Sequence, residues 1–156
     1  MPRISRSLYQ NAMVSILNTV GFRVEICDFC KLLATKDNIK SYINVAGKNL
    51  PYFGRNGQEA FFWETYVERK RLDRIDREAA LYRATGWLGF CYVILDDIFK
   101  DQFKTTVKIQ DRSFGAKLIK TTKYREHMRN RAPDTYGVVD LPRNLVLQIT
   151  RDPTDI

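Results

Sequence analysis

The apolar residues between Phe61 and Tyr82 do not lie on one face of a single helix. Successive residues of a helix are rotated by about 100°, so buried side chains must recur every three or four positions. The apolar residues from Phe61 to Val67 spread around most of the helical wheel, whereas those from Leu72 to Tyr82 fall on one side of it. This change in spacing predicts two consecutive elements of different type.

A strand, a helix and a second strand fit this stretch. We predict an aromatic-rich strand at 61–68, a charged turn at 69–74, a helix from about Leu72 to Thr85 and a buried strand at 87–95. One long helix is the alternative, and a capping-box pattern at 56–59 favours it. Only the first interpretation places acidic side chains on a strand that leads into a helix.

Helical and strand-like spacings alternate along the rest of the chain. Before residue 60 we predict a helix that stops at Gly21, strands at 22–26 and 41–47, a short helical turn at 31–34 and a loop at 48–57. After residue 100 we predict strands at 103–110, 116–122, 136–141 and 145–150, and a basic helix or loop at 123–131. We expect one domain over residues 1–156, of the α/β or α+β class, with a mixed central sheet flanked by helices.

Positive charge is concentrated in two segments of the chain. Residues 1–58 carry a net charge of +5 and residues 101–131 carry +6, whereas 59–100 and 132–156 carry −1 and −2. Basic segments of this kind predict a polyanionic partner, and a solubilising surface is the alternative. The candidate nucleic-acid contacts in the second segment are Lys104, Lys108, Lys117, Lys120, Lys123, Arg125, Arg129 and Arg131.

Three cysteines, an odd number, do not form a disulfide framework. Cys27 and Cys30 form a CxxC pattern, and Cys91 and His127 would complete a set of four zinc ligands. The remaining spacing matches no zinc motif, so we do not expect zinc. The chain shows neither a secretion signal nor a membrane-spanning apolar run, so we expect an intracellular, reducing compartment such as the cytoplasm or nucleoid, without membrane association.

The order helix, three strands, helix, strand resembles the core of the PD-(D/E)xK nuclease superfamily. The stretch ETYVERKRLDRIDREAALYRATGWLGFCYVILDD, within 61–97, is similar to the very-short-patch-repair endonucleases and the short nuclease-like proteins related to them. The match covers about a quarter of the chain. It implies a restriction-endonuclease-like core over 1–100, a basic β-rich extension over 101–156, and a metal-dependent DNA endonuclease, with DNA favoured over RNA as partner.

Phosphodiester hydrolysis needs an activated water and compensation of the phosphate charge, and Mg²⁺ held by carboxylates supplies both. The resemblance implies that Glu64 and Glu68 hold Mg²⁺ and that Lys70 positions the water. These nucleases also carry an aspartate, usually in a P-D dipeptide, on the preceding strand. Here that dipeptide is Pro51-Tyr52. Either Asp37 or Glu59 replaces the aspartate, or the site binds without cutting.

A noncatalytic interpretation stays open beside the nuclease. Glu64, Glu68 and Lys70 would then be surface charges balanced by the neighbouring arginines. The protein would be a basic structural or binding component of a nucleoprotein or another large assembly, viral, ribosomal or similar. The sequence also leaves open whether the protein forms a homodimer.

Overall fold

Three helices and eight strands account for most of the chain that the computed structural model describes, which is residues 4–49, 64–67, 69–94, 103, 105–129 and 138–140. The helices are α1 (Arg6–Thr19), α2 (Arg69–Leu81) and α3 (Thr121–Arg129). The strands are β1 (Arg23–Asp28), β2 (Lys31–Lys36), β3 (Ile39–Asn49), β4 (Glu64–Tyr66), β5 (Thr85–Ile94), β6 (Thr106–Ile109), β7 (Arg112–Lys120) and β8 (Val138–Asp140).

Six of these strands form one mixed sheet in the order β1-β2-β3-β5-β7-β6. The first three strands follow one another as an antiparallel meander. Strand β3 is parallel to β5, and the connection between them passes through α2, because parallel neighbours need a long crossover. Strands β7 and β6 extend the sheet with antiparallel pairs. Strands β4 and β8 pair separately from this sheet.

The helices cover the two faces of the sheet. Alternate side chains of a strand point to opposite faces, and in β3 Ile43 and Val45 pack with α1 while Tyr42 packs with α2 and α3. Strand β5 lies between β3 and β7 and is buried on both faces from Gly86 to Ile94. This burial explains why its sequence is a continuous apolar run rather than an alternating one.

Helix α1 has recognisable sequence limits. Ser5 caps its first turn, and the Ser5 hydroxyl accepts a hydrogen bond from the N–H of Leu8 at 3.4 Å. The helix ends at Thr19, and Gly21 follows with φ of +97°, a backbone conformation that favours glycine. The predicted helix that stops at Gly21 is therefore confirmed.

The predicted strand, helix and strand after residue 60 are also confirmed, as β4, α2 and β5. Helix α2 begins at Arg69 and not near Leu72, and it ends at Leu81 rather than Thr85. The residues predicted as a charged turn therefore form the first turns of the helix. The segment 61–63 lies outside the described residues.

The helical turn predicted at 31–34 is wrong, because these residues belong to β2. Asp37 and Asn38 both have positive φ, 52° and 64°, and form a two-residue turn that pairs Lys36 with Ile39. This turn conformation suits the right-handed twist of a hairpin and is favoured by Asn and Asp. The short apolar run at 31–34 therefore lies in a strand that pairs with β1 on one edge and with β3 on the other.

Beyond residue 100 the structure contains β6, β7 and α3, and the mixed α and β class is confirmed. The basic segment predicted as helix or loop forms α3 up to Arg129. Part of the strand predicted at 136–141 is present as β8, while 145–150 lies outside the described residues. No helix in the described parts of the chain is both long and apolar enough to cross a membrane.

Candidate functional site

A cleft lies where β3 extends past the end of β2. Lys31, the first residue of β2, pairs with Asn44, and the N–H of Val45 donates to the carbonyl of Cys30 at 2.8 Å. From Ala46 onward, β3 pairs with β5 alone among the described strands. In the part of the chain that the structure describes, no strand pairs with the other edge of β3 beyond the β1–β2 hairpin. Residues from both helical layers converge there.

The cleft has a volume of about 620 Å³. Helix α1 supplies Arg6 on one face of the sheet, and α2 supplies Arg71 and Arg74 on the other. The sheet supplies Lys31 between them. The described residues that line the cleft are Ile4, Arg6, Tyr9, Phe29, Cys30, Lys31, Asn44, Val45, Ala46, Gly47, Arg71 and Arg74.

The lining is strongly positive. It contains four basic side chains, and no acidic side chain occurs among its described members. The charge of Lys31 is balanced from outside the lining, because its Nζ lies 2.9 Å from Oε1 of Glu78. The other three basic side chains of the described lining are the arginines Arg6, Arg71 and Arg74.

Asn44 fixes the position of Arg71. Its Oδ1 accepts a hydrogen bond of 3.0 Å from Nε of Arg71 and a second bond from Nη2 of the same guanidinium. Asn44 is only 6% exposed, so this amide oxygen gains a partner that water would otherwise supply. Because the amide is neutral, it orients the guanidinium without cancelling its charge.

Glu78 forms the other polar contact beneath the cleft. Its carboxylate accepts hydrogen bonds from Lys31 and from the hydroxyl of Tyr42. Burial alone would raise the pKa of Glu78, but the bonds from Tyr42 and Lys31 outweigh it and the pKa is lowered. Burial and the bond to Glu78 raise the pKa of Tyr42. The pair is therefore a carboxylate and a neutral phenol at neutral pH.

Cys30 lies in the wall of the cleft as a protonated thiol. Its Sγ donates to the carbonyl oxygen of Arg6 at 3.8 Å. Burial raises the pKa of the Cys30 thiol, against the opposing effect of Arg6 and Arg71. A nucleophile would need the thiolate, so this arrangement favours a structural role for Cys30.

The CxxC pattern does not bring its two sulfurs to one face of the sheet. Cys30 packs in the core on the α1 side, whereas Cys27 packs against the core on the α2 side. In the parts of the chain that the structure describes, no group of three or more His, Cys, Asp or Glu side chains could hold a metal ion. The side chain of His127 is outside that description.

The residues predicted to be catalytic are close in sequence to Arg71, which lines the cleft. Glu64 begins β4, and Lys70 is exposed in the first turn of α2, one residue before Arg71. Glu68 and the side chain of Glu64 lie outside the described residues, as do Pro51, Tyr52 and Glu59.

Asp37 lies at the far end of the β2–β3 hairpin from the cleft. It lies six positions after Lys31, which corresponds to about 20 Å along a strand. A carboxylate at this distance would not reach the basic side chains of the cleft.

The predicted nucleic-acid contacts are distributed over β6, β7 and α3, and none of those described lines the cleft. Lys108 and Lys123 are exposed and pair with Asp111 and Glu126, at 3.8 and 3.7 Å. Lys120 is exposed, with its Nζ 5.3 Å from the centre of the Trp87 ring. These three lysines are accessible to a partner.

Two other predicted contacts are engaged inside the protein. Lys117 is 3% exposed, and its Nζ lies 5.2 Å from the centre of the Phe103 ring. Arg125 is half-buried and donates to Asp73 and Asp76 of α2, each at 2.8 Å. Lys104, Arg131 and the side chain of Arg129 lie outside the described residues.

Sequence reasoning missed the cleft itself. Arg6 and Lys31 belong to the basic segment 1–58, but nothing in the neighbouring sequence indicates that they line one cleft with Arg71 and Arg74. The only usable signal was the RKR run at 69–71, which forms the first turn of the amphipathic helix α2. No protein-family model matches the chain, and no curated protein shows significant similarity to it.

Proposed function

We propose that the protein binds nucleic acid and that the cleft holds its phosphates. The observation that carries this proposal is the convergence of Arg6, Arg71 and Arg74 from two helical layers on one cleft whose described lining lacks acidic side chains. Guanidinium groups match phosphate oxygens in a bidentate geometry and are weakly hydrated, so they are the preferred phosphate ligands among side chains.

Two further features support an anionic ligand. The first two turns of α2 contribute Arg71 and Arg74, so the N-terminal half of this helix, the half with the positive dipole end, lies beside the cleft. The whole chain carries a net charge of +8, which raises the rate of encounter with a polyanion. Exposed Lys108, Lys120 and Lys123 would extend the contact beyond the cleft.

The test is the binding of a fluorescent oligonucleotide, followed by anisotropy over a series of salt concentrations. We expect the double variant Arg71→Gln, Arg74→Gln to bind at least about tenfold more weakly near 0.1 M NaCl and to lose about two units of slope in log K against log salt. Arg77→Gln with Arg83→Gln is the matched control, because it removes the same charge from exposed positions outside the cleft. Equal weakening in both double variants would overturn the proposal.

A metal-dependent phosphodiesterase is the second candidate. It is supported by helix α2 leading into strand β5, which is parallel to β3, as the nuclease resemblance implies. The structure departs from that resemblance in having four strands rather than three before α2, and the last of them, β4, pairs with β8 outside the six-stranded sheet. Glu64 and Glu68 directly precede α2 and are of the ligand type that Mg²⁺ prefers. They would hold the ion, which supplies an activated water when bound, and Lys70 would orient that water.

Cleavage assays separate the two candidates. Plasmid DNA, single-stranded DNA and RNA are incubated with the protein in Mg²⁺, Mn²⁺ or EDTA. The nuclease requires metal-dependent cleavage that Glu68→Ala abolishes and that Glu126→Ala, a control at an exposed glutamate of α3, leaves intact. Salt-sensitive binding without cleavage under every condition would instead support a noncatalytic component of a nucleoprotein assembly.

A further inference from the structure

Phe29 gives the basic cleft an aromatic surface at its edge. It follows β1 in the turn to β2, lines the cleft and is 44% exposed. The Arg6 guanidinium lies 4.8 Å from the centre of its ring, which is within the range of a cation–π contact. An exposed phenyl ring beside arginines is the combination with which proteins hold unpaired bases, because each base offers a flat face for stacking.

The size of the cleft also discriminates between forms of nucleic acid. Its volume of about 620 Å³ is in the range of pockets that enclose small molecules, about 300–1,000 Å³. A duplex keeps its bases paired inside and presents its backbones on the outside, so it could offer the cleft phosphates but no base. A single strand can place a base and its neighbouring phosphate inside the cleft.

The basic groups lie on more than one side of this space. Arg6 contacts Phe29 from the α1 layer, whereas Asn44 holds Arg71 on the α2 layer. Gly47 of β3 also lines the cleft, and the ring of Tyr9 fills the space that a side chain at this position would need. The glycine therefore lets the Tyr9 ring of the α1 layer pack directly against β3 in the wall of the cleft.

We propose that the cleft takes an unpaired nucleotide of a single-stranded nucleic acid, with its base stacked on Phe29 and its flanking phosphates bound by Arg6, Arg71 and Arg74. This inference rests on the proposed function and specifies its ligand. The phosphate contacts supply affinity for any sequence, and the stacking contact supplies the preference for unpaired bases.

The test compares three labelled ligands of equal length, about 12 nucleotides: a single strand, the corresponding duplex and an abasic single strand. We expect wild-type protein to bind the single strand at least about tenfold more tightly than the duplex or the abasic strand. Phe29→Leu, which keeps an apolar side chain but removes the ring, should lose most of this preference and leave binding of the abasic strand unchanged.

Two variants serve as controls. Phe29→Trp restores a stacking surface and should keep the preference, with its indole fluorescence quenched by the single strand. Ile26→Ala, at an apolar residue of β1 that is 53% exposed and does not line the cleft, should bind all three ligands as wild type does.

The outcomes distinguish the two proposals. Duplex binding as tight as single-strand binding, or unchanged binding in Phe29→Leu, would overturn the stacking site but leave the nucleic-acid function in place if binding still depends on Arg71 and Arg74. If none of the three ligands shows salt-sensitive binding, the proposed function itself is overturned.

Discussion

Asn44 and Glu78 hold two positive side chains of the cleft in different ways. Glu78 is ionised and neutralises Lys31 beneath the cleft, whereas the uncharged amide of Asn44 positions Arg71 without offsetting its charge. Each side chain provides a hydrogen-bond partner for a partly buried cation next to β3. The carboxylate of Glu78 also neutralises its cation, whereas the amide of Asn44 does not. A carboxylate in place of Asn44 would also hold Arg71, but its negative charge would offset the attraction of Arg71 for phosphate.

Asn44→Asp tests this difference with an almost isosteric change. We expect the oligonucleotide dissociation constant to rise by about fivefold, or about 1 kcal/mol, because the new carboxylate competes with phosphate for Arg71. Anisotropy titrations measure the effect. Asn38→Asp, at the exposed end of the β2–β3 hairpin, makes the same change of charge far from the cleft and should have little effect. Equal affinities in the two variants would contradict this role of Asn44.

The lowered pKa of Glu78 makes its contribution to stability depend on pH. Because the pKa is lowered in the folded protein, the carboxylate stabilises the fold above its ordinary value of 4.5, and this contribution is lost as the pH falls through the folded pKa. We expect Glu78→Gln to reduce the free energy of unfolding by about 1 kcal/mol near pH 7. The difference from wild type should be smaller at pH 3 than at pH 7.

Urea unfolding at the two pH values measures this free energy. Glu126→Gln is the control, because Glu126 is exposed on α3 and pairs with Lys123 only at a distance of 3.7 Å. A loss of stability in Glu78→Gln of the same size at both pH values would show that ionisation of Glu78 does not stabilise the fold.

A glycine in strand β5 allows helix α1 to pack closely against the sheet. Gly89 lies in the middle of this strand, and a Cβ atom there would be 2.7 Å from Cγ2 of Ile43 and 3.0 Å from Cε of Met13. Met13 belongs to α1 and Ile43 to the neighbouring strand β3, so the glycine allows helix and sheet to pack closely at this point. The position of α1 over the sheet, and therefore of Arg6 at the cleft, depends on that packing.

We expect Gly89→Ala to lower the free energy of unfolding by about 1–3 kcal/mol, because a well-packed core must shift to accept the methyl group. Chemical denaturation measures the change. Thr85→Ala, at the exposed start of the same strand, should cost less than about 1 kcal/mol. A variant at Gly89 as stable as wild type would mean that α1 adjusts its position without loss.

The hairpin of β2 and β3 explains one failure of prediction from sequence. A run of four residues at 31–34 has too few positions to separate a period of 2 from a period of 3.6, so periodicity alone could not identify the strand. The better signal was the dipeptide Asp37-Asn38, because Asp and Asn tolerate the positive φ angles of a two-residue turn. By contrast, the longer amphipathic stretches of α1 and α2 carried enough positions to be predicted correctly.

The whole molecule is needed to build the cleft. Arg6 comes from the layer of α1, Lys31 and Asn44 from the sheet, and Arg71 from the opposite helical layer. Residues 6 and 71 are separated by most of the first half of the chain, so an unfolded or partly folded chain would not present this set of charges together. A ligand of the cleft therefore binds the folded state selectively, which couples binding to global stability.

A single-stranded oligonucleotide should therefore raise the melting temperature. At a free concentration of about 100 times its dissociation constant, we expect a gain of about 2.7 kcal/mol. For a chain of this size the gain corresponds to about 5–10 °C. Differential scanning fluorimetry measures the shift. Arg71→Gln with Arg74→Gln should lose most of it, and Arg77→Gln with Arg83→Gln should retain it. The same shift in both double variants would exclude the cleft as the binding site.

The sequence by itself determined the types of most elements and the excess of positive charge, because helical and strand periods are set by residues that are neighbours in the chain. The pairing of each charge was decided only by the tertiary structure. In the folded protein Lys117 is buried, and Arg125 of α3 pairs with Asp73 and Asp76 of α2. Arg6 and Arg71 line the same cleft from the two helical layers. The physical reason is that burial and ion pairing depend on strand register and helix packing, which bring together residues that are far apart in sequence.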